Sequence, residues 1–299
     1  MKILISGASG LVGKNLIPTL IAKGHMVYRL VRRTPKSADE IEWNAETGFA
    51  ESEQAKLENF EAVVHLAGDN VASENWSDEK KRKIKESRTV GTRVLVDALK
   101  RCANPPRHFI SASAIGFYGN RGDEILNEQS AKGEGFLPEV CAAWEDEIKQ
   151  AESFARVAYL RIGVVLAKDG GALEKMLTPF KFGVGGTIGS GKQYMSWLAL
   201  DDLIKMIHFA LENESLRGAI NAVAPNPVTN EEFTRSLGKV LGRPTFLPVP
   251  AFAIKTLFGE MGETLILEGS RVVPKKLQDA GFDFDFPNLE AALKHVLEN

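Results

Sequence analysis

The chain has 299 residues, 44% apolar and 25% charged, and its 37 basic against 39 acidic side chains leave a formal net charge of -2. So even a balance offers no basic field for a nucleic acid, no polybasic anchor and no acidic tail. No apolar run reaches the roughly 18 residues that span a bilayer, since even the segment from Val157 to Ala167 carries Arg161. Two cysteines, Cys102 and Cys141, make neither a disulfide framework nor a four-thiolate zinc site. The expectation is a cytoplasmic protein without a secretory leader, a membrane contact or a nucleic-acid partner.

In chain order, Lys2 to Ser6 reads as a buried strand, Leu11 to Lys23 as an amphipathic helix and Met26 to Val31 as a second strand. Ala62 to Leu66 reads as a central strand. Ser77 to Cys102 reads as a long helix, with Ser77 as N-cap and Asp78 and Glu79 in a first turn that suits negative charge. The run from Glu79 to Lys85 is then a solvated helix face. His108 to Ala112, a helix over Leu137 to Phe154, and a strand over Val157 to Leu166 complete one doubly wound α/β domain of the Rossmann type over residues 1–166. Beyond it, 183–191 (GVGGTIGSG) is glycine-rich and reads as a lid, an anion cradle or a plain flexible loop. A strand-like Tyr194 to Leu198, a helix over Asp201 to Glu212 and a strand over Ala219 to Val223 follow. The expected division returns 199–223 to the first domain and assigns 167–198 and the proline-punctuated 224–299 to a smaller, helix-rich substrate lobe.

Ser6 to Gly13 (SGASGLVG) places Gly7, Gly10 and Gly13 between the first strand and first helix. Glycine there lets backbone approach a pyrophosphate, and the helix N-terminus offers unpaired N–H groups, so Gly7, Ser9, Gly10, Leu11, Val12 and Gly13 are candidate cofactor residues. The second strand ends in Arg32 and Arg33, where an NAD-binding domain carries an acid. Guanidinium groups suit the 2′-phosphate of NADP, so NADP(H) is the expected cofactor. The five histidines show no metal-ligand spacing, and no metal is expected.

These segments, with HLAG at 65–68, GT at 91–92, SASAIGFYG at 111–119 and GSGKQYMSWLALDD at 189–202, resemble an extended short-chain dehydrogenase/reductase. More narrowly, WSDEKKRKIKESR, WE at 144–145, RIGVVLAKDGGAL and KKLQDAGFDF resemble its atypical, epimerase-like family. The resemblance implies hydride transfer on a small carbonyl or alcohol substrate, with Leu66, Ala67 and Gly68 against the cofactor. It places Ser113 at the serine position that runs proton chemistry. The Tyr-x-x-x-Lys slot, however, reads from Cys141 to Glu145, so neither the phenol nor the ammonium is present. Arg88 stands where an asparagine is expected, and Met195 where many nucleotide-sugar enzymes carry an arginine, which argues against an ordinary nucleoside-diphosphate sugar.

Three side chains are candidates to replace the missing pair: Tyr118 from the loop after Ser113, Cys141 if Arg88 lowers its pKa, and Glu145 if burial raises its own. Each has a plainer reading as packing or as a solvated helix face. Trp197 is a candidate stacking platform for substrate, and Arg88 a candidate substrate contact. The competing reading is a non-catalytic NADP(H)-sensing protein, and a homodimer is compatible with either.

Overall fold

A computed structural model describes residues 1–298. Seven strands form one all-parallel sheet: β1 (Lys2–Ser6), β2 (Met26–Val31), β3 (Glu40–Glu42), β4 (Ala62–His65), β5 (His108–Ala114), β6 (Arg156–Ile162) and β7 (Gly218–Ala222), in the order β7-β6-β5-β4-β1-β2-β3. Alternate residues of each strand serve opposite faces. Ile3, Ile5, Ala62, Val64, Ile110, Ala158 and Leu160 pack with Leu16 and Leu20 of α1 (Leu11–Ala22) and with Leu203 and Ile207 of a helix over Leu200–Glu212. Leu4, Val63, Phe109 and Val157 pack on the other face with Leu95 and Leu99 of α2 (Asp78–Lys100) and Ile148 of α3 (Phe136–Lys149). Both faces are covered, which is why the strands read as continuous apolar runs.

The sequence reading is right about the long elements and wrong at three places. It has no counterpart of β3, whose Glu-Ile-Glu composition hides a strand. Glu40 is buried there because Arg33 clamps its carboxylate with two hydrogen bonds of 2.8 Å each. The expected strand over Val157 to Leu166 breaks at Gly163, where a Cβ would lie 2.3 Å from the Ser196 carbonyl oxygen. Val164–Leu166 then leaves the sheet and pairs with Trp197–Ala199. Lys80 is not part of a solvated face: it is 3% exposed, and its Nζ lies 2.5 Å from an Asp69 carboxylate oxygen.

A second core lies over the carboxyl ends of the strands. It is built by α4 (Gly171–Lys181), α6 (Asn230–Leu241) and α8 (Leu289–Glu298), while the sheet-packed helix over Leu200–Glu212, α5, and α7 (Ala251–Gly262) come between them in chain order. Leu173, Leu177, Trp197, Phe233, Leu237 and Leu293 pack together. Thr229 opens α6 with a reciprocal cap to Glu232. The glycine-rich 183–191 segment is stitched down: Gly186 bridges to Phe246, Ile188 to Val249, and the Ile188 amide donates to Asn230 Oδ1. The Gly189 amide also donates to the Val249 carbonyl and the Gly191 amide closes a turn on the Ile188 carbonyl, so this stretch is a wall rather than an open cradle. Among the described residues, no helix is long and apolar enough to cross a membrane.

Candidate active site

The glycine loop is closed against the strand next to β1. Gly7 has a φ of +71°, and a Cβ on it would lie 2.7 Å from the Leu66 carbonyl carbon. A Cβ on Gly13 would lie 2.4 Å from the Gly7 carbonyl oxygen. Only glycine permits this approach, which leaves the start of α1 and its free amides facing the crevice where the chain's crossovers change direction between β1 and β4. Ser9 and Gly10 are exposed at the loop, followed by Leu11 and Val12, and Leu66, Ala67 and Gly68 leave β4 beside it. At the end of β2, Arg32 is exposed and unpaired among the described residues, whereas Arg33 is spent on Glu40. That hydrogen-bonded pairing holds the Glu40 carboxyl down to about 2.

Two polar rows cross the sheet at its carboxyl end, and strand register sets both. Ser6 lies beside His65 and His65 beside Ser111; Ser113 lies beside Arg161 and Arg161 beside Asn221. In the first row, Ser6 Oγ accepts from the Leu66 and Ala67 amides, so its own proton goes to His65 Nδ1 at 2.6 Å. His65 Nε2 then donates to Thr92 Oγ1 at 3.0 Å, which also accepts from the Trp144 indole at 3.0 Å. Burial pushes the His65 imidazole down to about 4, so it is neutral near pH 7.

In the second row, Ser113 Oγ donates to Glu145 Oε1 at 2.8 Å. Arg161 grips the same carboxylate with Nε at 2.8 Å from Oε1 and Nη2 at 2.7 Å from Oε2. Its Nη1 donates to the Tyr118 oxygen at 3.0 Å, and its guanidinium lies 3.4 Å over the Phe117 ring. Tyr118 Oη lies 2.7 Å from Asn221 Oδ1 and 2.9 Å from the Asn127 carbonyl, and the Asn221 amide donates to the Val273 carbonyl. Ser113, Tyr118, Glu145, Arg161 and Asn221 are all nearly or fully buried.

This geometry sorts the sequence candidates. Ser113 and Glu145 meet directly, and Glu145 is no solvated helix residue. Tyr118 makes no hydrogen bond to Ser113 or Glu145 among the described residues: its hydroxyl is held by Arg161, Asn221 and the Asn127 carbonyl, and burial raises its pKa further. Cys141 sits beside Arg88 and Glu145, but burial pushes its thiol up to about 12, with Glu145 adding to the rise over the opposing pull of Arg88 and Arg161. The thiol therefore stays protonated and is no thiolate. Trp197 is 0% exposed with its indole donating to the Asn226 carbonyl, so it is core and not a stacking platform. Sequence reasoning missed Arg161, Asn221, His65 and Thr92. Arg161 was visible as a charge inside an apolar strand, a placement tolerated only with a buried partner. Two histidines that look scattered in sequence do come together at the opposite end of the sheet: His25 and His208 face each other with Nε2 atoms 3.5 Å apart, beside Glu212.

Two family models match the chain: the NAD dependent epimerase/dehydratase family over residues 3–144, and a domain of unknown function over residues 249–296. Among curated relatives, the chloroplastic epimerase family protein SDR39U1 homolog of Arabidopsis thaliana is 40% identical over 100% of this chain and 87% of its own length. The Homo sapiens epimerase family protein SDR39U1 is 33% identical over 99% of this chain and all of its own. The crystal structure of the human protein with NADPH superposes with a TM-score of 0.91 at 32% identity, covering 100% of both chains. A nucleoside-diphosphate sugar epimerase from Corynebacterium glutamicum superposes with a TM-score of 0.82 at 35% identity, covering 99% of this chain and 58% of that one.

Proposed function

The chain belongs to the NAD-dependent epimerase/dehydratase family, and from that premise we propose that it is an NADP(H)-binding, epimerase-like oxidoreductase acting on a small carbonyl or alcohol substrate. The residues present fit the cofactor. The loop from Gly7 to Gly13 is a backbone cradle that a Cβ would fill, with helix amides behind it, and the human relative, which superposes over the full length of both chains, was crystallised with NADPH. Arg32, exposed and without a protein partner among the described residues, would hold the 2′-phosphate. When bound, the nicotinamide supplies the hydride acceptor or donor.

The observation that carries the catalytic reading is the 2.8 Å contact from Ser113 Oγ to Glu145 Oε1 at the carboxyl end of β5, two strands along the same sheet edge from β1 and its cradle. Ser113 gives its proton to Glu145, so its lone pairs are available to a substrate hydroxyl. In the oxidative direction the hydroxyl passes its proton to Ser113 Oγ as Ser113 passes its own to Glu145 Oε1; reduction reverses both transfers. Arg161 orients the carboxylate and balances its charge. This relay takes the role that a tyrosine and a lysine hold in most of the family.

Two measurements test the reading. NADPH oxidation over a panel of small carbonyl compounds is expected to fall at least a hundredfold in Ser113→Ala with NADPH affinity retained; undiminished turnover in that variant would refute the relay. Arg32→Ala should weaken NADPH by about tenfold or more, one charge-assisted contact's worth, and leave NADH nearly unchanged. The burial and mutual pairing of Glu145, Arg161 and Tyr118 favour a second reading, a non-catalytic NADP(H)-sensing protein. Tight NADPH binding with no turnover of any panel member would select it.

A further inference from the structure

Arg88 stands between two ion pairs, Lys80 with Asp69 on one side and Arg161 with Glu145 on the other, and belongs to neither. Lys80 is 3% exposed and committed to Asp69 at 2.5 Å. Arg161 holds both oxygens of Glu145. Arg88 is left over: its single hydrogen bond runs from Nη1 to the Ile84 carbonyl at 3.0 Å, and no carboxylate oxygen lies within ion-pair distance of it among the described residues. Glu74, the other acid near Lys80, is exposed and lies 3.6 Å from that ammonium.

Arg88 is also placed where a ligand would meet it. Its guanidinium carbon lies 5.2 Å over the Trp144 ring, one residue from Glu145, and a Cβ on Gly68 would come within 3.4 Å of it. Gly68 follows the Leu66–Ala67 segment on which the glycine loop closes. The residue is half-buried, and burial disfavours its charged form. A guanidinium kept partly dry, with most of its fork unused, has the donor geometry for a planar oxyanion.

We infer that Arg88 is the recognition site for a carboxylate on the substrate, so that the substrate class is a small oxo acid or hydroxy acid. This rests on the reading of the Ser113–Glu145 pair as the reacting centre. A second source of oxyanion, the cofactor's own phosphates, shares the same chemistry, and the experiment separates the two.

The probes are matched acid and amide pairs, pyruvate with pyruvamide and phenylglyoxylate with phenylglyoxylamide, titrated onto the NADPH-loaded protein and read by the fluorescence of the bound nicotinamide. The wild-type protein is expected to bind at least one acid tenfold or more tightly than its amide. Arg88→Met, which keeps the apolar stem, should erase that preference and change NADPH affinity less than twofold, and Arg88→Lys should keep part of it. No acid preference in the wild type, or binding of neither partner, overturns the inference. Loss of NADPH affinity in Arg88→Met overturns it in favour of a cofactor phosphate. A wild-type protein that fails to bind NADPH at all refutes the cofactor reading beneath it, which is a distinguishable failure.

Discussion

Glu145 stands where the family carries a lysine, and the change of sign at that residue reorganises its neighbours. A lone carboxylate at this depth would be costly, so the sheet supplies Arg161 from the adjacent strand, and Arg161 in turn fixes Tyr118 and Asn221. Cys141 is the bystander of this exchange: a small, protonated side chain filling the space a tyrosine would take. The pairing makes a specific energetic prediction. Glu145→Ala strands a buried guanidinium and should cost about 3–5 kcal/mol, measured by urea unfolding in the absence of cofactor. A double replacement by apolar residues, Glu145→Leu with Arg161→Met, should recover much of that loss while leaving no turnover. If the single variant were as stable as the wild type, the ion pair would not be the anchor described here.

At the scale of elements, the first strand, loop and helix form the part that sequence displays best, because its constraint is steric and local. Gly7, Gly10 and Gly13 announce themselves by spacing alone. The Cβ that Gly13→Ala adds would lie 2.4 Å from the Gly7 carbonyl oxygen and 2.8 Å from Ala8 Cα, so α1 must move off β1. We expect NADPH affinity to drop at least tenfold in that variant, by fluorescence titration, with the far-ultraviolet dichroism unchanged. The elements that sequence hid are held by partners distant in the chain. β3 has two acids in three residues and exists because Arg33 and Arg29 reach one of them. Trp197 looked like a ligand platform because a tryptophan's burial depends on helices that lie far from it in sequence. The Ser113–Glu145 contact was half legible: both residues are recognisable from their positions, but only the register of β6 against β5 reveals the arginine that joins them.

Across the whole molecule, the Ser6–His65–Thr92–Trp144 chain ties β1, β4, α2 and α3 together, and the titration of His65 is one contribution to acid sensitivity. The folded state holds His65 at about 4, below the value near 6.5 of a free imidazole. The unfolded chain thus takes up a proton that the folded chain refuses. The contribution is whole above about pH 6.5 and is lost as the pH falls toward 4, by roughly 1 kcal/mol for each pH unit from this group. Urea midpoints at pH 7, 6 and 5 should fall accordingly, and His65→Asn, though weaker at pH 7, should show a shallower acid slope. An equal slope in both proteins would place the acid sensitivity elsewhere.

The two polar rows also bear on how the sheet chooses its pairing. In a parallel sheet covered on both faces by aliphatic side chains, a strand displaced by one residue still finds oily neighbours, so greasy packing alone discriminates poorly between alignments. Here such a slip would thrust Arg161 or Asn221 into the opposite, apolar layer with no acid or phenol to greet it, an error of several kcal/mol. The buried polar row therefore acts as a proofreading device during assembly: only the alignment that pairs Ser113, Arg161 and Asn221 lets β5, β6 and β7 close.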